Sequence, residues 1–192
     1  MNSKQNSLFI FLALVFVFFG VFGSKLFVKV DVGHVAVATV FGKLIEEPFT
    51  EGLHISPKYV IYRWHKFDVR ERTHFEQAKV PSQDQLQTDL ELSVQWRISE
   101  TFAAQLLRET GSAERAIEVH MIPKVRSLFR EQGKSIKRAE DFFLEETQEK
   151  LQTKLLEGLS EYLTPKGIDV SAVLIRNITL PQFIQGAIEK KK

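Results

Sequence analysis

The chain has 192 residues, and its 26 basic side chains nearly balance its 24 acidic ones, which gives a net charge of +2. Acids and bases are interspersed, which argues against a nucleic-acid-binding protein, because such a protein needs a basic face to neutralise phosphates. The absence of cysteine excludes disulfides, thiolate chemistry, acylation at cysteine and cysteine-based zinc sites.

An apolar run near the N-terminus is the strongest single signal in the chain. Residues 8–22 read LFIFLALVFVFFGVF, without a charge or a proline, and three more apolar residues follow Lys25. A helix needs about 20 apolar residues to cross a bilayer, and a lysine near its end can extend to the interface. We therefore predict a tail over residues 1–7 and one transmembrane anchor over residues 8–28. Its predicted membrane contacts are Phe9, Phe11, Phe16, Phe18, Phe19, Phe22 and Lys25.

A cleaved signal peptide is the alternative interpretation of this run. Lys4 forms a basic n-region, and Val21-Phe22-Gly23 followed by Ser24 matches a small-residue cleavage site. The mature protein would then be a secreted or periplasmic monomeric binding module. The basic residues on the two sides of the run nearly balance, so they do not decide on which side of the membrane the remainder lies.

The segment of residues 29–98 is predicted to be rich in strands. Alternation over residues 34–41 and again over residues 59–64 indicates two strands, and residues 67–70 indicate a short extended piece. The clearest strand runs from Leu90 to Ile98. Five apolar side chains share one phase of it, which predicts a half-buried antiparallel strand: Leu90, Leu92, Val94, Trp96 and Ile98.

Residues 99–180 are predicted to be rich in helices. A short helix follows the candidate N-cap Ser99 and ends at Gly111, and a second spans about residues 112–132 with a kink or restart at Pro123. A third helix is predicted to begin near residues 136–138 and to carry Leu144, Leu151, Leu155, Leu159 and Tyr162.

The end of the chain is predicted to add one strand and the start of one more helix. Pro165-Lys166-Gly167 ends the third helix, and residues 168–178 read as a closing strand. Residues 181–192 begin a helix whose apolar stripe would continue as a coiled coil. Because no stop signal follows, we expect a longer native protein. The stripe consists of Phe183, Ala187 and Ile188.

A series of short motifs follows one another along the chain: VGHVAV from Val32, VFGK from Val40, EGLH from Glu51, DVR from Asp68, SQD from Ser82, WRI from Trp96, LFRE from Leu128, GIDV from Gly167 and VLIRNITLP from Val173. In this order they resemble the SPFH family, also called band 7, which includes stomatin, prohibitin, flotillin and HflK/HflC. Three residues depart from the family pattern: His34 replaces a glutamate, Glu51 a proline and Gln85 a glycine.

The resemblance implies an α+β SPFH domain, with a strand-rich first half and a helix-rich second half that a strand closes. It implies that this domain follows one membrane anchor and lies on the extracytoplasmic side. It also implies a coiled coil after the domain, of which this sequence contains only the start. It also implies a non-enzymatic scaffold that assembles into rings or cages, organises a membrane microdomain and regulates a membrane protease of the FtsH AAA+ type. The implied partners are membrane lipid and either identical copies or an alternating paralogue.

No catalytic or cofactor site is predicted. The five histidines lack metal-binding spacing, and no phosphate-binding loop, dinucleotide fingerprint or nucleophile elbow occurs. We therefore expect no enzyme activity, no cofactor, no metal, no nucleic acid and no small-molecule substrate.

Two soluble regions are candidate interaction surfaces. Pro48 and Phe49 form either a wedge in the lipid interface or part of the core. A basic cluster is followed by an acidic one, and these charges either pair within one subunit or meet between subunits of a ring. The predicted interface residues are Arg126, Arg130, Lys137, Arg138, Glu145 and Glu146, with Phe183, Ala187 and Ile188 of the last helix.

Overall fold

The computed structural model describes residues 27–55 and 61–179, together with Ala13 and Phe16. The chain divides into two compact units, Met1–Asp68 and Val69–Lys192. The fold is α+β, with strands in the first half, helices in the second and a closing strand, as predicted. The subdomain boundary near residue 98, where strands give way to helices, stays a prediction.

The first unit is built from short antiparallel strands. β1 and β4 form a two-stranded ribbon, while β2 pairs with β3 on one side and with β5 on the other. A bridge between Ala36 and Phe49 links the two sets of strands. The strands are β1 (Phe27–Val30), β2 (His34–Val40), β3 (Lys43–Leu44), β4 (Gly52–Ile55) and β5 (Tyr62–Asp68).

Two features of the first unit differ from simple alternation. Residues 35–38 are all fully buried, so β2 is covered on both faces. Residues 62–64 of one expected segment and residues 67–68 of the other belong to a single strand, β5, which pairs with β2 along its whole length. The turn after β2 has positive φ at both Phe41 and Gly42, which matches the twist of a two-residue hairpin.

The second unit is a three-stranded antiparallel sheet packed against helices. The strand order is β6 (Arg72–Pro81), β7 (Gln87–Ile98) and β8 (Ile168–Thr179). The predicted central strand is confirmed: Leu90, Leu92, Val94, Trp96 and Ile98 are all at least 94% buried.

Four helices lie between β7 and β8. α3 packs against β6, and α4 packs against β8 through a row of buried leucines. Gln152 of α4 also accepts a hydrogen bond from the backbone N–H of Ile175 in β8 at 3.0 Å. The helices are α1 (Ala103–Glu109), α2 (Ala113–Ala116), α3 (Ile122–Gly133) and α4 (Glu145–Leu163), with 3₁₀ turns at Glu100–Phe102, Ala139–Phe143 and Thr164–Lys166.

The expected interruption at Pro123 is confirmed. A π-helical turn, Ile117–Met121, joins α2 to α3, and Pro123 is the second residue of α3. Its ring and missing N–H disturb the regular helical pattern in the preceding turn. Ser112 caps the start of α2 by accepting a hydrogen bond from the N–H of Arg115.

The predicted start of the third helix, near residues 136–138, was wrong. α4 begins at Glu145, and the preceding residues form a 3₁₀ turn instead. Asp141 accepts a hydrogen bond from the N–H of Arg138, and Asp84 accepts one from the N–H of Ala139. Leu144 is therefore extended and more than half exposed, and does not belong to the buried stripe. Tyr162, the other end of the predicted stripe, is also exposed, and the adjacent Leu163 is buried in its place.

Strand β6 was missed entirely. Its burial alternates, but its inward phase carries His74, Glu76 and Ala78, whereas its outward phase carries Phe75. The pattern of hydrophobicity therefore conceals the pattern of burial.

No helix among the described residues is long and apolar enough to cross a membrane. The predicted anchor, residues 8–28, lies outside the described residues except for Ala13, Phe16 and the first two residues of β1. The predicted helix over residues 181–192 lies wholly outside them.

Candidate assembly and membrane surfaces

The basic cluster forms a stripe along α3. Arg126, Arg130 and Lys134 follow each other at four-residue spacing and are all exposed, so they lie on one face of the helix. We call these three residues the basic stripe. Within the part of the chain that the structure describes, Arg130 and Lys134 form no ion pair.

Arg126 has a partner that the sequence analysis did not foresee. Its Nε donates to Oε1 of Glu76 at 2.6 Å, while Nε2 of His74 lies 3.3 Å from Oε2 of the same carboxylate. The Glu76 side chain is only 6% exposed. Because β6 was not recognised, nothing in the sequence pointed to this acid as the partner of a helix cation.

The acidic residues lie at the beginning of α4. Glu145 and Glu146 are exposed in its first turn, where the partial positive charge of the helix N-terminus stabilises carboxylates. We call this pair the acidic start. Neither residue forms an ion pair within residues 27–55 and 61–179.

Intramolecular pairing, the first alternative, accounts for only part of the cluster. Arg138 pairs with Glu140 at 3.4 Å, and both side chains are about half exposed or more. An exposed pair of this kind contributes roughly 0–1 kcal/mol. Lys137 and Glu146 line the same hollow of about 320 Å³ without pairing, and its wall also contains Asp141, Lys150, Leu151 and Lys154.

Phe49 takes part in the core of the first unit. Its ring meets the ring of Trp64 edge-on at 4.8 Å and packs against the buried Val28, Val30 and Ala36. Its backbone N–H and C=O both bond to Ala36, at 2.7 and 2.9 Å. Pro48 is half-buried beside it. The predicted contact of Pro48 and Phe49 with lipid stays a prediction, and the geometry matches the core alternative.

The ribbon of β1 and β4 exposes apolar side chains that the sequence analysis did not single out. Phe27 pairs directly across from Ile55, and Leu53 across from Lys29, so all four lie on one face. Phe27, Leu53 and Ile55 are 42%, 66% and 81% exposed. We call these three residues the ribbon face. The alternation of Phe27 with the buried Val28 was the available signal.

Lys29 places a cation on this same face. Its Nζ lies 2.9 Å from Oδ1 of Asp31. This hydrogen bond and the charge attraction raise the pKa of Lys29 and lower the pKa of Asp31 relative to their usual values. Both groups therefore stay charged at neutral pH.

The remaining predicted site residues lie outside the described part of the chain. Phe16 is the exception, since it is helical and 81% exposed. The residues outside are Phe9, Phe11, Phe18, Phe19, Phe22, Lys25, Phe183, Ala187 and Ile188.

The described residues contain no group of three or more histidine, aspartate or glutamate side chains placed to hold a metal ion. The exposed features described above are charged and apolar surfaces, which suit contacts with other macromolecules or with lipid.

Comparison with models of known protein families gives a match. The family profile described as "SPFH domain / Band 7 family" covers residues 28–192. No curated protein matches the chain. Since the matched segment includes all of the second unit and most of the chain, the protein belongs to the SPFH domain / Band 7 family, whose members are generally non-enzymatic, membrane-associated scaffolds.

Proposed function

We propose that this protein is a membrane-anchored scaffold that assembles with copies of itself into a closed ring or cage. The observation that carries the proposal is a pair of opposite, exposed charge clusters, the basic stripe on α3 and the acidic start of α4. Of these residues only Arg126 forms an ion pair within the described part of the chain. A second copy of the chain offers each cluster the complementary charge. Membership of a family of membrane-associated scaffolds gives independent support.

The two clusters would form a head-to-tail contact. They lie on different helices, so the basic stripe of one copy would contact the acidic start of the next. The basic stripe of that second copy would then be available to bind a third copy. A contact that joins two different surfaces repeats until the chain of copies closes or grows into a filament. Anchoring in a plane restricts the orientations of the copies, which favours closure.

The individual contact needs to be only weak. Exposed ion pairs contribute roughly 0–1 kcal/mol each, and salt screens them. Confinement to a membrane raises the effective concentration of neighbouring copies, so many weak contacts add up to a stable assembly. The predicted N-terminal anchor supplies this confinement.

Charge reversal tests the interface. We expect Arg130→Glu in the full-length protein to shift the detergent-solubilised assembly to smaller species, measured by light scattering and electron microscopy. The double variant Arg130→Glu/Glu146→Arg should restore part of the large assembly, since it restores opposite charges across the contact.

Lys79→Glu is the matched control, because Lys79 is an exposed cation of the same unit on β6, outside the stripe. It should leave the assembly unchanged. If Arg130→Glu and Lys79→Glu behave alike, the proposed interface is wrong. A ring that forms only when a second, related polypeptide is added would favour an alternating paralogue over identical copies.

The anchor is tested separately by sequencing the N-terminus of the mature protein. We propose that segment 8–28 is retained as a membrane anchor. We also propose that the two units lie on the extracytoplasmic side of the membrane. An intact start upstream of Leu8 is the expected result. A mature start at Ser24 would favour the secreted or periplasmic monomeric module instead.

The family resemblance supports one further step of the proposal, in which the assembled scaffold organises a membrane microdomain and regulates a membrane protease of the FtsH AAA+ type. Co-reconstitution of both proteins in one vesicle should slow cleavage of a membrane-protein substrate. The Arg130→Glu variant should lose this effect together with the assembly. Equal cleavage with and without the scaffold would contradict this step.

A further inference from the structure

The ribbon face is an apolar surface without a partner in the described chain. Its three side chains project from the side of β1 and β4 opposite to Val28 and Val30, which are at least 98% buried. The ribbon therefore has one face in the core of the first unit and one apolar face outside it. Exposed apolar residues grouped in this way mark a contact surface more often than scattered ones do.

We propose that membrane lipid covers the ribbon face, so that the Phe27–Ile55 pair lies at the boundary between headgroups and hydrocarbon. The inference rests on the proposed anchoring, because it uses the position of the apolar run. That run extends to Leu26, immediately before β1 begins at Phe27. The first pair of the ribbon is thus tied by a single peptide bond to the segment proposed to enter the bilayer.

The order of residues along the ribbon indicates how deep each of them would lie in the lipid interface. Phe27 and Ile55 form the pair nearest the apolar run, and Lys29 and Leu53 form the pair two residues further along. Two residues of strand correspond to about 7 Å, which is comparable to the thickness of a headgroup layer. Ile55 should therefore lie deeper than Leu53, and the charged pair of Lys29 and Asp31 should lie near the level of the headgroups.

The size of the surface favours lipid over a protein partner. A stable protein interface buries roughly 800 Å² on each partner, which takes about 20–30 residues. The ribbon face offers three apolar side chains and one lysine, which is too few. A lipid interface has no such lower limit, because each side chain gains transfer energy individually.

Because the chain has no cysteine, single cysteines can be labelled without removing native ones. We would introduce Ile55→Cys or Leu53→Cys into the full-length protein, attach a fluorophore and reconstitute it in phosphatidylcholine vesicles containing phosphatidylglycerol. A lipid carrying a nitroxide quenches labels in the interface, and iodide quenches labels in water. Thr153→Cys, an exposed position on α4, is the aqueous reference, and Phe16→Cys reports on the anchor.

We expect quenching by the nitroxide lipid at position 55 to be about threefold stronger than at position 153, with position 53 between them, and iodide quenching to follow the opposite order. Iodide quenching at position 55 equal to that at position 153 would overturn the inference, since water would then cover the face. Protection of position 55 from both quenchers would overturn it too, since protein would then cover the face.

The Phe16→Cys label separates this inference from the proposed function. If that label is quenched by lipid and the label at position 55 is not, the anchor stands and only the ribbon proposal fails. If neither is quenched by lipid, the anchoring fails as well. In a Trp96→Phe background, the unlabelled Ile55→Cys and Leu53→Cys proteins should keep the emission of Trp64, which shows that any change at the face is not unfolding of the unit.

Discussion

Nε of Arg126 lies 2.6 Å from Oε1 of Glu76, and this ion pair joins α3 to β6. The carboxylate is almost completely buried, whereas the guanidinium remains about half exposed. A buried carboxylate is costly unless it is paired and hydrogen-bonded. Arg126 is therefore a structural residue of the fold as well as the first member of the basic stripe.

We predict that Arg126→Ala lowers the free energy of unfolding of the second unit by about 1–3 kcal/mol, because it leaves Glu76 with His74 alone. Urea unfolding in mild detergent measures this change, with Trp64→Phe as the background so that only Trp96 reports. The double variant Glu76→Gln/Arg126→Ala should be less destabilised than Arg126→Ala. A double variant that is less stable than Arg126→Ala would contradict this account of the pair.

Two helical glycines should respond in opposite ways to alanine. An added Cβ at Gly133 would lie 2.3 Å from Cγ1 of Val80 and 2.6 Å from the carbonyl oxygen of Pro81. The backbone there leaves no room, so we expect Gly133→Ala to destabilise the second unit by about 1–3 kcal/mol.

Gly158→Ala is the matched control for that substitution. Its Cβ would meet only the methyl groups of Leu128, at 3.0–3.1 Å, and a side-chain end can shift. Alanine also favours the helix by up to about 1 kcal/mol. We therefore expect Gly158→Ala to be neutral or stabilising in the same unfolding measurement. Equal losses for the two variants would show that close approach at Val80 is not the cause.

Gln85 is predicted to be a strained position. Its φ of 65° lies in the left-handed region, which costs roughly 1–2 kcal/mol for a residue with a Cβ. It is also the position at which the family pattern has glycine. Gln85→Gly should therefore raise the free energy of unfolding, and with it the urea midpoint, by a net amount of about 0.5–1 kcal/mol in free energy after the greater freedom of glycine in the unfolded chain is subtracted. Gln85→Val should lower the midpoint, and the reverse order would refute the strain.

Asp84 should make stability depend on acid pH. Burial opposes ionisation of its carboxyl group, but hydrogen bonds from the Ser82 hydroxyl and the N–H groups of Ala139 and Leu86 outweigh it and lower the pKa of Asp84 below its usual 3.8. A lowered folded pKa stabilises the protein above the unfolded value, and the stabilisation is lost as pH falls through the folded pKa.

The measurement compares wild type with Asp84→Asn by urea unfolding over a range of pH. The difference in unfolding free energy should be constant above about pH 5 and should shrink as the pH falls below about 4. Ser82→Ala removes one of the hydrogen bonds and should reduce the pH-dependent part. A difference that does not change down to about pH 3 would rule out this role for the Asp84 charge.

The success of the sequence analysis depended on whether apolar residues marked the buried face. β7 was predicted correctly because its five inward side chains are all apolar. Leu151, Leu155 and Leu159 of α4 were predicted correctly for the same reason. The start of α4 was misplaced because the carboxylates of Asp84 and Asp141 hold the preceding turn. No pattern of hydrophobicity records such hydrogen bonds.

The candidate surfaces were harder to predict than the fold. β6 was missed because it buries Glu76 and exposes Phe75, the reverse of the usual arrangement. Without β6, the partner of Arg126 could not be identified. Phe49 drew attention as an aromatic residue in a turn-rich stretch, while Leu53 and Ile55, a few residues later, carry the exposed apolar surface. Only the pairing of β4 with β1 distinguishes the core residue Phe49 from the exposed residues Leu53 and Ile55.

The hydrogen bond from Ile175 to the side chain of Gln152 has a consequence for how copies of the protein can associate. β8 is an outer strand, and an outer strand with free backbone groups invites another chain to extend the sheet and aggregate. The side-chain amide of Gln152 in α4 accepts a hydrogen bond from one of those groups, the N–H of Ile175, and so obstructs this edge of the sheet. In the proposed assembly, copies would then meet through charged side chains on the helices rather than through β8, and such a contact would weaken as the ionic strength rises.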